Sequence, residues 1–411
     1  MILFFLTSGL FLGWSLGAND ASHVFGSAVG SKMVSFRKAA IIASIFVILG
    51  AVIQGAGAAH TLGKLGAVNA IGGSFTLALA AAVTIYVMTK FSLTVSSTQA
   101  IVGAIIGWNI FTGNRTDSGT LSKIVVTWVS GPVLGAGFAI LLYILITRIK
   151  RASKIHLITF ESFIRTGLIF VGAFAAYSLG ANNIANVMGV FVPAFNLQPL
   201  DLGLFTLTSN QQLFLLGGLA IAVGIITYSR RVMETIGANI VELTPEAAMV
   251  VVLAESLVLF IFSSSGLSNL FIRIGLPPIP MAPVSSSQVI VGCVIGIGLY
   301  KGVRNINFRL LGEIALGWIA TPIMSGLLTF FSLFFMKNIF DIEVGHKNIE
   351  GAQTTDLSTI LPDAHTSEII KYLLLGIIII GILAITFYLL LERKKNREIR
   401  VSEEKFWKNI K

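Results

Sequence analysis

The chain reads Gly17-Ala18-Asn19-Asp20-Ala21-Ser22-His23-Val24-Phe25-Gly26 near its amino terminus. A similar stretch follows 163 residues later as Gly180-Ala181-Asn182-Asn183-Ile184-Ala185-Asn186-Val187-Met188-Gly189. The two stretches share glycine, alanine, asparagine, valine and glycine at matched positions, and composition alone does not explain this identity. We therefore interpret them as corresponding parts of an internal repeat.

Two further pairs of matches support the repeat. The first lies at an offset of 189 residues and pairs Val95-Ser96-Ser97-Thr98-Gln99 with Val284-Ser285-Ser286-Ser287-Gln288. The second, which is weaker, lies at an offset of 190 residues and pairs Trp128 and Pro132 with Trp318 and Pro322. Because all three pairs occur in the same order, the sequence indicates two homologous halves.

The composition places these halves in a lipid bilayer. Hydrophobic residues make up 55% of the 411 residues and charged residues only 12%, which is too little polar surface to coat several soluble domains. The segment from Tyr372 to Leu391 carries no charge and is about as long as a helix that crosses a ~30 Å hydrocarbon core. The other apolar runs are continuous rather than alternating, so we predict an all-α polytopic membrane protein.

The predicted membrane helices form two sets of five and one extra C-terminal helix. The apolar runs lie near 1–30, 38–60, 73–89, 92–112 and 123–147, then near 166–191, 211–228, 246–265, 283–300 and 309–336, and finally near 369–391. We therefore predict a first transmembrane repeat (1–147), a cytoplasmic basic loop (148–165), a second transmembrane repeat (166–336), an extracytoplasmic loop (337–368), a C-terminal transmembrane helix (369–392) and a cytoplasmic tail (393–411).

The distribution of basic residues predicts the orientation in a plasma or inner membrane. Most of the 29 Lys and Arg residues lie in short clusters between apolar runs, and an outside amino terminus places these clusters in the cytoplasm, where they are usually retained. The carboxyl terminus is then cytoplasmic. The net charge of +10 follows from this retention and implies no nucleic-acid partner. Cys293 is the single cysteine, which excludes an internal disulfide and fits a small packing group.

The number of crossings predicts that the repeats are inverted. Each half has five predicted helices, an odd number, so the second copy enters the bilayer from the opposite side. Inverted repeats with broken or hairpin helices that meet near the bilayer midplane are typical of secondary transporters, which bind their substrate at the repeat interface. The alternative is a duplicated scaffold with inert small-residue packing, but such packing needs glycine and alanine rather than paired Asn, Asp and Gln.

Asp20 indicates a cation site. A carboxylate within a membrane span is costly unless it lines a cavity or meets a cation. Carboxylate, amide and hydroxyl oxygens without sulfur or imidazole suit a hard cation, and we expect sodium. The predicted sodium ligands are Asn19, Asp20, Asn182, Asn183, Ser97 and Ser287. The alternative is that Asp20 makes a structural hydrogen bond to a neighbouring helix.

The two Ser/Thr-Gln segments indicate an anion site. Each places hydroxyl groups just before an apolar helical run, where free backbone N–H groups and the helix dipole favour an anion. No Lys or Arg occurs in either pair of motifs, so helix ends and bound cations must balance the charge of a tetrahedral oxyanion. The predicted anion ligands are Asp20, Ser96, Ser97, Thr98, Gln99, Asn183, Ser285, Ser286, Ser287 and Gln288. Ordinary caps on two broken helices are the alternative.

These motifs resemble the inorganic phosphate transporter (PiT) family of sodium- or proton-coupled phosphate symporters. Its duplicated Gly-Ala-Asn-Asp signature is similar to Gly17–Asp20 and Gly180–Asn183, and its Ser-Thr-Thr-His segment is similar to Ser96–Gln99 and Ser285–Gln288. The resemblance implies a secondary active transporter, not an enzyme, that imports inorganic phosphate with co-transported sodium and alternates its access between the repeats. It implies no organic cofactor, and a homodimer is one assembly that we consider.

Several residues depart from the family pattern. Asn183 replaces a common Asp, which leaves the number of bound cations open, and Gln99 and Gln288 replace His, which removes two groups able to titrate near pH 7. These changes favour sodium over proton coupling. His23 replaces a more usual Asn, and we interpret it as a hydrogen-bond donor rather than a proton carrier. Glu255 is either an accessory sodium ligand or a polar packing residue.

Other functions are kept as alternatives. A proton-coupled phosphate permease, or a permease for sulfate or another oxyanion, would use a similar frame. An intramembrane enzyme is suggested by Ser, His and Asp in the first half, but His23 is three positions from Asp20 on one helix and no separate nucleophile stands out. A channel is the remaining alternative.

Overall fold

The computed structural model describes residues 2–66, 68–90, 95–153, 157–195, 197–201, 206–236, 244–302 and 308–345. The predicted C-terminal helix, the cytoplasmic tail and most of the extracytoplasmic loop lie outside these residues. Within the described residues the first half consists of six helices: α1 (Ile2–Gly30), α2 (Phe36–Gln54), α3 (Ala56–Leu65), α4 (Ile71–Lys90), α5 (Ser97–Thr112) and α6 (Ser118–Ser153).

The second half repeats this helical plan with small additions. Its helices are α7 (Leu157–Met188), α8 (Ser209–Ile236), α9 (Pro245–Ser263), α10 (Ser265–Arg273), α11 (Ser286–Tyr300) and α12 (Phe308–Asn338). A 3₁₀ turn (Val192–Ala194) and two short strands lie between α7 and α8. Strand β1 (Leu200–Asp201) pairs antiparallel with β2 (Thr206–Leu207), with Leu200 opposite Leu207.

The predicted all-α polytopic class is confirmed. Seven helices of the described chain are long and apolar enough to cross a membrane: Phe36–Gln54, Ile71–Lys90, Ser118–Ala152, Thr159–Met188, Ser209–Arg230, Pro245–Ser263 and Gly312–Asn338. Helices α5 and α11 have 16 and 15 residues, so at 1.5 Å per residue they span only about 24 and 22 Å. Each therefore falls short of a ~30 Å hydrocarbon core.

The predicted basic loop at 148–165 is largely helical. Helix α6 continues to Ser153 and α7 begins at Leu157. The charged residues suggested a loop, but residues 148–156 contain neither Gly nor Pro to end a helix. The Lys150 ammonium lies 2.9 Å from the Glu246 carboxylate, so this charged end of α6 contacts the start of α9.

The structure also divides one predicted span and contains short elements that were not predicted. The predicted span 38–60 is divided at Gly55 into α2 and α3. A Cβ atom at Gly55 would lie 2.1 Å from Cγ2 of Ile184, so α7 passes too close for any larger residue. Helix α10 and the two strands lie in stretches where no element was predicted.

Asp117 precedes α6, and its carboxylate accepts the Thr120 N–H at 2.6 Å. Hydrogen bonds from the Thr120 side chain and backbone lower the pKa of Asp117.

Corresponding helices of the two halves each pack against a helix of the other half. Helix α1 packs on α8, and its counterpart α7 packs on α2. Helix α5 packs on α12, and its counterpart α11 packs on α6. Helices α4 and α9 are the most enclosed spans, whereas α6 and α12 lie at the periphery with most of their surface exposed. The exchange relates the halves by an approximate two-fold axis, and the inversion of the second half across the bilayer stays a prediction.

Glycines allow the exchanged helices to approach backbone to backbone. At four positions matched between the repeats, an added Cβ atom would lie 1.9–2.2 Å from a carbonyl oxygen of the partner helix. The pairs are Gly17 with Ile221, Gly180 with Val47, Gly103 with Pro322, and Gly292 with Pro132. The repeated glycines therefore fix the distance between the helices that carry the polar motifs and the helices that support them.

We predict that Gly103→Ala destabilises the protein by about 1–3 kcal/mol, because the new methyl group overpacks the backbone of α12. Thermal unfolding of the detergent-purified protein measures the effect. Gly137→Ala is the matched control, because an added Cβ at this α6 glycine has no heavy atom within 4 Å. Equal unfolding temperatures for the two variants would show that the close contact does not constrain the fold.

Candidate functional site

The two Ser/Thr-Gln segments begin helices, as predicted. Ser96 and Ser285 are the N-caps of α5 and α11, and both have extended backbone conformations. The Ser96 hydroxyl accepts the Gln99 N–H at 3.3 Å, and the Ser285 hydroxyl accepts the Gln288 N–H at 3.4 Å. We call these two helix starts, residues 95–99 and 284–288, the first tip and the second tip.

The Asp20 carboxylate joins the two signatures. Asn19 donates its side-chain amide to Oδ1 at 3.0 Å, and Asn183 donates to Oδ2 at 2.8 Å. Ser97 of the first tip also lies beside this carboxylate. Helices α1, α5 and α7 therefore meet at one buried carboxylate, which is 3% exposed.

Asn182 fixes the second tip to the second signature. Its Nδ2 donates to the Asn183 carbonyl Oδ1 at 2.9 Å and to the Val284 backbone carbonyl at 2.8 Å. The Val284 N–H in turn donates to Asn182 Oδ1 at 2.8 Å. Both backbone polar groups of the residue before Ser285 are thus satisfied by one buried amide, which orients the start of α11.

Thr98 joins the first tip to the second half. Its hydroxyl donates to the Val284 carbonyl at 3.2 Å and accepts from Asn186 Nδ2 at 3.0 Å. A continuous set of hydrogen bonds therefore runs from Asp20 through both asparagines of the second signature to Val284 and Thr98. This network connects the two tips.

The remaining polar residues of the tips are also buried. The Ser285 and Ser287 hydroxyls lie 3.1 Å apart, and Ser286 is 4% exposed. Gln99 and Gln288 are 3% and 6% exposed, and the side-chain carbonyl oxygen of each has no hydrogen-bond partner within the described residues. Donors and acceptors are therefore concentrated at two helix N-termini away from water.

Glu255 lies beside His23 instead of within this network. Its Oε1 is 3.7 Å from His23 Nδ1, and the two side chains are 3% and 9% exposed. His23 is three residues from Asp20 on α1. Two carboxylates therefore share one buried region, while the motifs themselves contain no Lys or Arg.

The two tips are not held equivalently. The Val284 backbone is bound by Asn182 and Thr98, whereas no side chain in the described part of the chain binds the matched Val95 backbone. Asn19, the counterpart of Asn182, donates to Asp20. The two halves thus correspond in their helix packing but differ in their hydrogen bonds at the site.

Sequence reasoning did not assign Asn186 or the Val284 backbone to the site. Asn186 aligns with His23 in the repeat, and this match was the signal that could have identified it. The role of Val284 had no comparable signal, because any residue supplies the same backbone N–H and carbonyl groups.

Together, the apolar helices and the enclosed polar network define a multi-pass membrane protein with a buried polar cluster between two helix starts. A profile of the phosphate transporter family matches residues 16–329. The chain belongs to this family. Its members are transporters and not enzymes, so the expectation that this chain is not an enzyme is confirmed, as is the resemblance found in the motifs.

Individual relatives agree with this assignment. A Thermococcus kodakarensis protein named "putative phosphate permease" is 25% identical over 80% of this chain and 96% of its own length. A Methanocaldococcus jannaschii protein of the same name is 26% identical over 79% of this chain and 94% of its own length. A solved structure titled "The sodium-dependent phosphate transporter" has a similar fold, with a TM-score of 0.64 and 22% identity over 82% of this chain and 99% of that one.

We predict that Asn182→Ala destabilises the protein by about 1–3 kcal/mol, because it leaves the buried Val284 N–H without an acceptor. It should also weaken phosphate binding, because the second tip loses its orientation. Thermal unfolding with and without phosphate measures both effects. Asn338→Ala is the control for stability, since this exposed asparagine bonds the Phe334 carbonyl of its own helix at 2.8 Å. An equal loss in both variants would contradict the role of the backbone contact.

Proposed function

We propose that this chain imports inorganic phosphate by sodium symport, with alternating access between inverted repeats. The observation that carries the proposal is the single buried network that joins Asp20, both asparagine signatures and both tips. Family membership supports phosphate as the transported solute. The network supports a site where an anion and a cation are bound together.

Phosphate fits the donors at the two tips. The N-termini of α5 and α11 offer backbone N–H groups and hydroxyls to the oxygen atoms of an anion. The proposed phosphate ligands are those predicted from the sequence: Asp20, Ser96, Ser97, Thr98, Gln99, Asn183, Ser285, Ser286, Ser287 and Gln288. Hydrogen phosphate can also donate an O–H to the Asp20 carboxylate, which sulfate cannot do near neutral pH.

Sodium fits the charge balance of the site. An anion beside Asp20 and Glu255 in a low-dielectric region is strongly repelled unless cations accompany it. The proposed sodium ligands are Asn19, Asp20, Asn182, Asn183, Ser97 and Ser287, with Glu255 as an accessory candidate. The oxygen atoms of these groups suit a hard cation. Coupling then follows from electrostatics, because the anion does not enter favourably without an accompanying cation.

The exchange of helix partners supports alternating access. Each tip helix packs on the long outer helix of the other half, so one half can move against the other around a shared site. Inverted repeats need an odd number of membrane crossings in each half, as the five predicted helices would give. We propose two such repeats, at 1–147 and 166–336, with the amino terminus outside.

We predict that excess sulfate does not inhibit uptake of labelled phosphate into proteoliposomes. Ser97→Ala and Ser287→Ala should each raise the KM for phosphate by about tenfold, because each removes a hydrogen bond to an anion. Ser263→Ala is the matched control, since its buried hydroxyl bonds the Leu259 carbonyl of its own helix at 2.8 Å. Equal inhibition by sulfate and unlabelled phosphate would remove the phosphate assignment.

We predict that replacing sodium by potassium reduces phosphate uptake to background, and that Asp20→Asn removes or weakens the sodium dependence of any uptake that persists. The reason is that the proposed cation site loses its carboxylate. The control is Asp117→Asn, because this exposed carboxylate caps α6 and lies outside the network. Wild-type sodium dependence in Asp20→Asn would contradict the proposed ligand.

Proton coupling is the second candidate, and the His23–Glu255 contact favours it. A buried imidazole 3.7 Å from a carboxylate is a pair that can hold a proton within a membrane. Uptake into sodium-free proteoliposomes under an inward proton gradient separates the candidates. If uptake occurs under this condition and His23→Asn abolishes it, a proton mechanism would replace the sodium mechanism.

A further inference from the structure

The chain that leads into the second tip runs from the protein surface to the buried network. This stretch, residues 274–283, follows α10 and contains four prolines, so it cannot continue as a helix. We call it the approach segment. Ile274 at its start is 61% exposed, whereas Ala282 and Val284 are fully buried. Met281, which is partly buried, is therefore the last residue before the site becomes enclosed.

Side chains from both halves hold the approach segment. The Ser268 hydroxyl of α10, in the second half, donates to the Ile279 carbonyl at 3.2 Å. The Thr61 hydroxyl of α3, in the first half, donates to the Met281 carbonyl. The contact with α10 therefore stays within one half. The contact with α3 joins the two halves, and it does so only three residues before Val284 of the network.

The Met281 side chain lies directly against α3. A Cβ atom added at Gly57, which is buried in the first turn of α3, would lie 2.7 Å from the Met281 sulfur. Gly55, two residues earlier, packs against Ile184 of the second signature. The start of α3 therefore reaches from the second signature to the approach segment. An unbranched thioether is well suited to fill such a contact and to leave it again, because it adopts many conformations.

The repeat does not account for this arrangement. In the first half, residues 91–96 suffice to join α4 to α5, whereas residues 264–285, which include α10, join α9 to α11 in the second half. The helices that contact the approach segment, α3 and α10, are also the ones that sequence reasoning did not predict as separate elements. Both departures from the predicted helices therefore lie at the approach to the second tip.

We propose that Gly57, Thr61 and Met281 form a gate between the two halves, which opens to let phosphate reach the second tip. This inference rests on the proposed function. The gate lies where α9 ends, which is the outer side in the proposed orientation. One hydroxyl hydrogen bond and one flexible thioether separate at less cost than the buried amide bonds of Asn182. When the gate opens, the Ser268 contact keeps the approach segment with its own half.

A reversible cross-link tests the gate. In a Cys293→Ala background, Gly57→Cys and Met281→Cys place two cysteines where the Cβ atoms lie 3.6 Å apart, a separation that a disulfide spans. Oxidation of this double variant should reduce phosphate uptake into proteoliposomes about tenfold or more, because it fixes α3 to the approach segment. Reduction should restore uptake, and each single variant should be insensitive to oxidation. Unchanged uptake after complete cross-linking would overturn the proposal.

A second measurement does not depend on which solute is carried. Ser287→Cys, again with Cys293→Ala, reports access to the second tip through its rate of reaction with a membrane-impermeant thiol reagent, added to intact cells without phosphate. Met281→Ala uncovers Gly57 and should raise this rate about tenfold. Ser268→Ala is the matched control, because it frees the same segment from α10 and not from α3. Equal rates in the two variants would overturn the proposal.

The two measurements together separate this inference from the proposed function. If the unaltered protein carries no phosphate but Met281→Ala accelerates labelling of the second tip, the gate is supported and the phosphate assignment fails. If phosphate is carried by the oxidised double variant as well as by the reduced one, the phosphate assignment is supported and the gate fails.

Discussion

The central constraint on this molecule is the burial of negative charge in a medium that cannot solvate it. Asp20 and Glu255 are each 3% exposed, and the repeated motifs around them contain no Lys or Arg. The hydrogen bonds from Asn19 and Asn183 reduce the cost for Asp20 but do not neutralise it. A further anion at the tips would therefore require helix N-termini and accompanying cations, and this requirement is the basis of the proposed coupled transport.

The glycine seams explain how the fold meets this requirement. Four matched glycines bring backbone against backbone where α1, α5, α7 and α11 meet their partner helices. Such close contacts hold the helix starts at a fixed distance from the signatures without polar side chains on the lipid side. The exchange of partners also places each tip helix against the outer helix of the opposite half, so both halves contact the shared polar network.

Much of the fold follows from the sequence, because continuous apolar runs and repeated motifs are local signals. The helix starts at Ser97 and Ser286 were predictable from the cap residues before them. The continuation of α6 to Ser153 and the start of α7 at Leu157 were not predictable, because charged residues at these positions resemble a loop. The break at Gly55 was also hidden, and only the fold shows that Ile184 on another helix excludes a larger side chain at this position.

The residues of the candidate site could be predicted from the sequence better than the contacts between them. The repeated Asn, Asp, Ser and Gln residues marked it, and the structure brings Asp20, Asn183, Asn182 and Thr98 into one network. The contact of Asn182 with the Val284 backbone joins residues 102 positions apart, and no sequence pattern encodes it. The difference between the two tips was equally hidden, because the repeat predicts them to be alike.

The most direct test of the account is an experimental density map of the protein with phosphate and sodium bound. The account predicts density for a tetrahedral anion between the N-termini of α5 and α11, within hydrogen-bonding distance of the Ser97 and Ser287 hydroxyls, with cation density beside Asp20. Anion density elsewhere, or tips that lie far apart or face lipid, would contradict it.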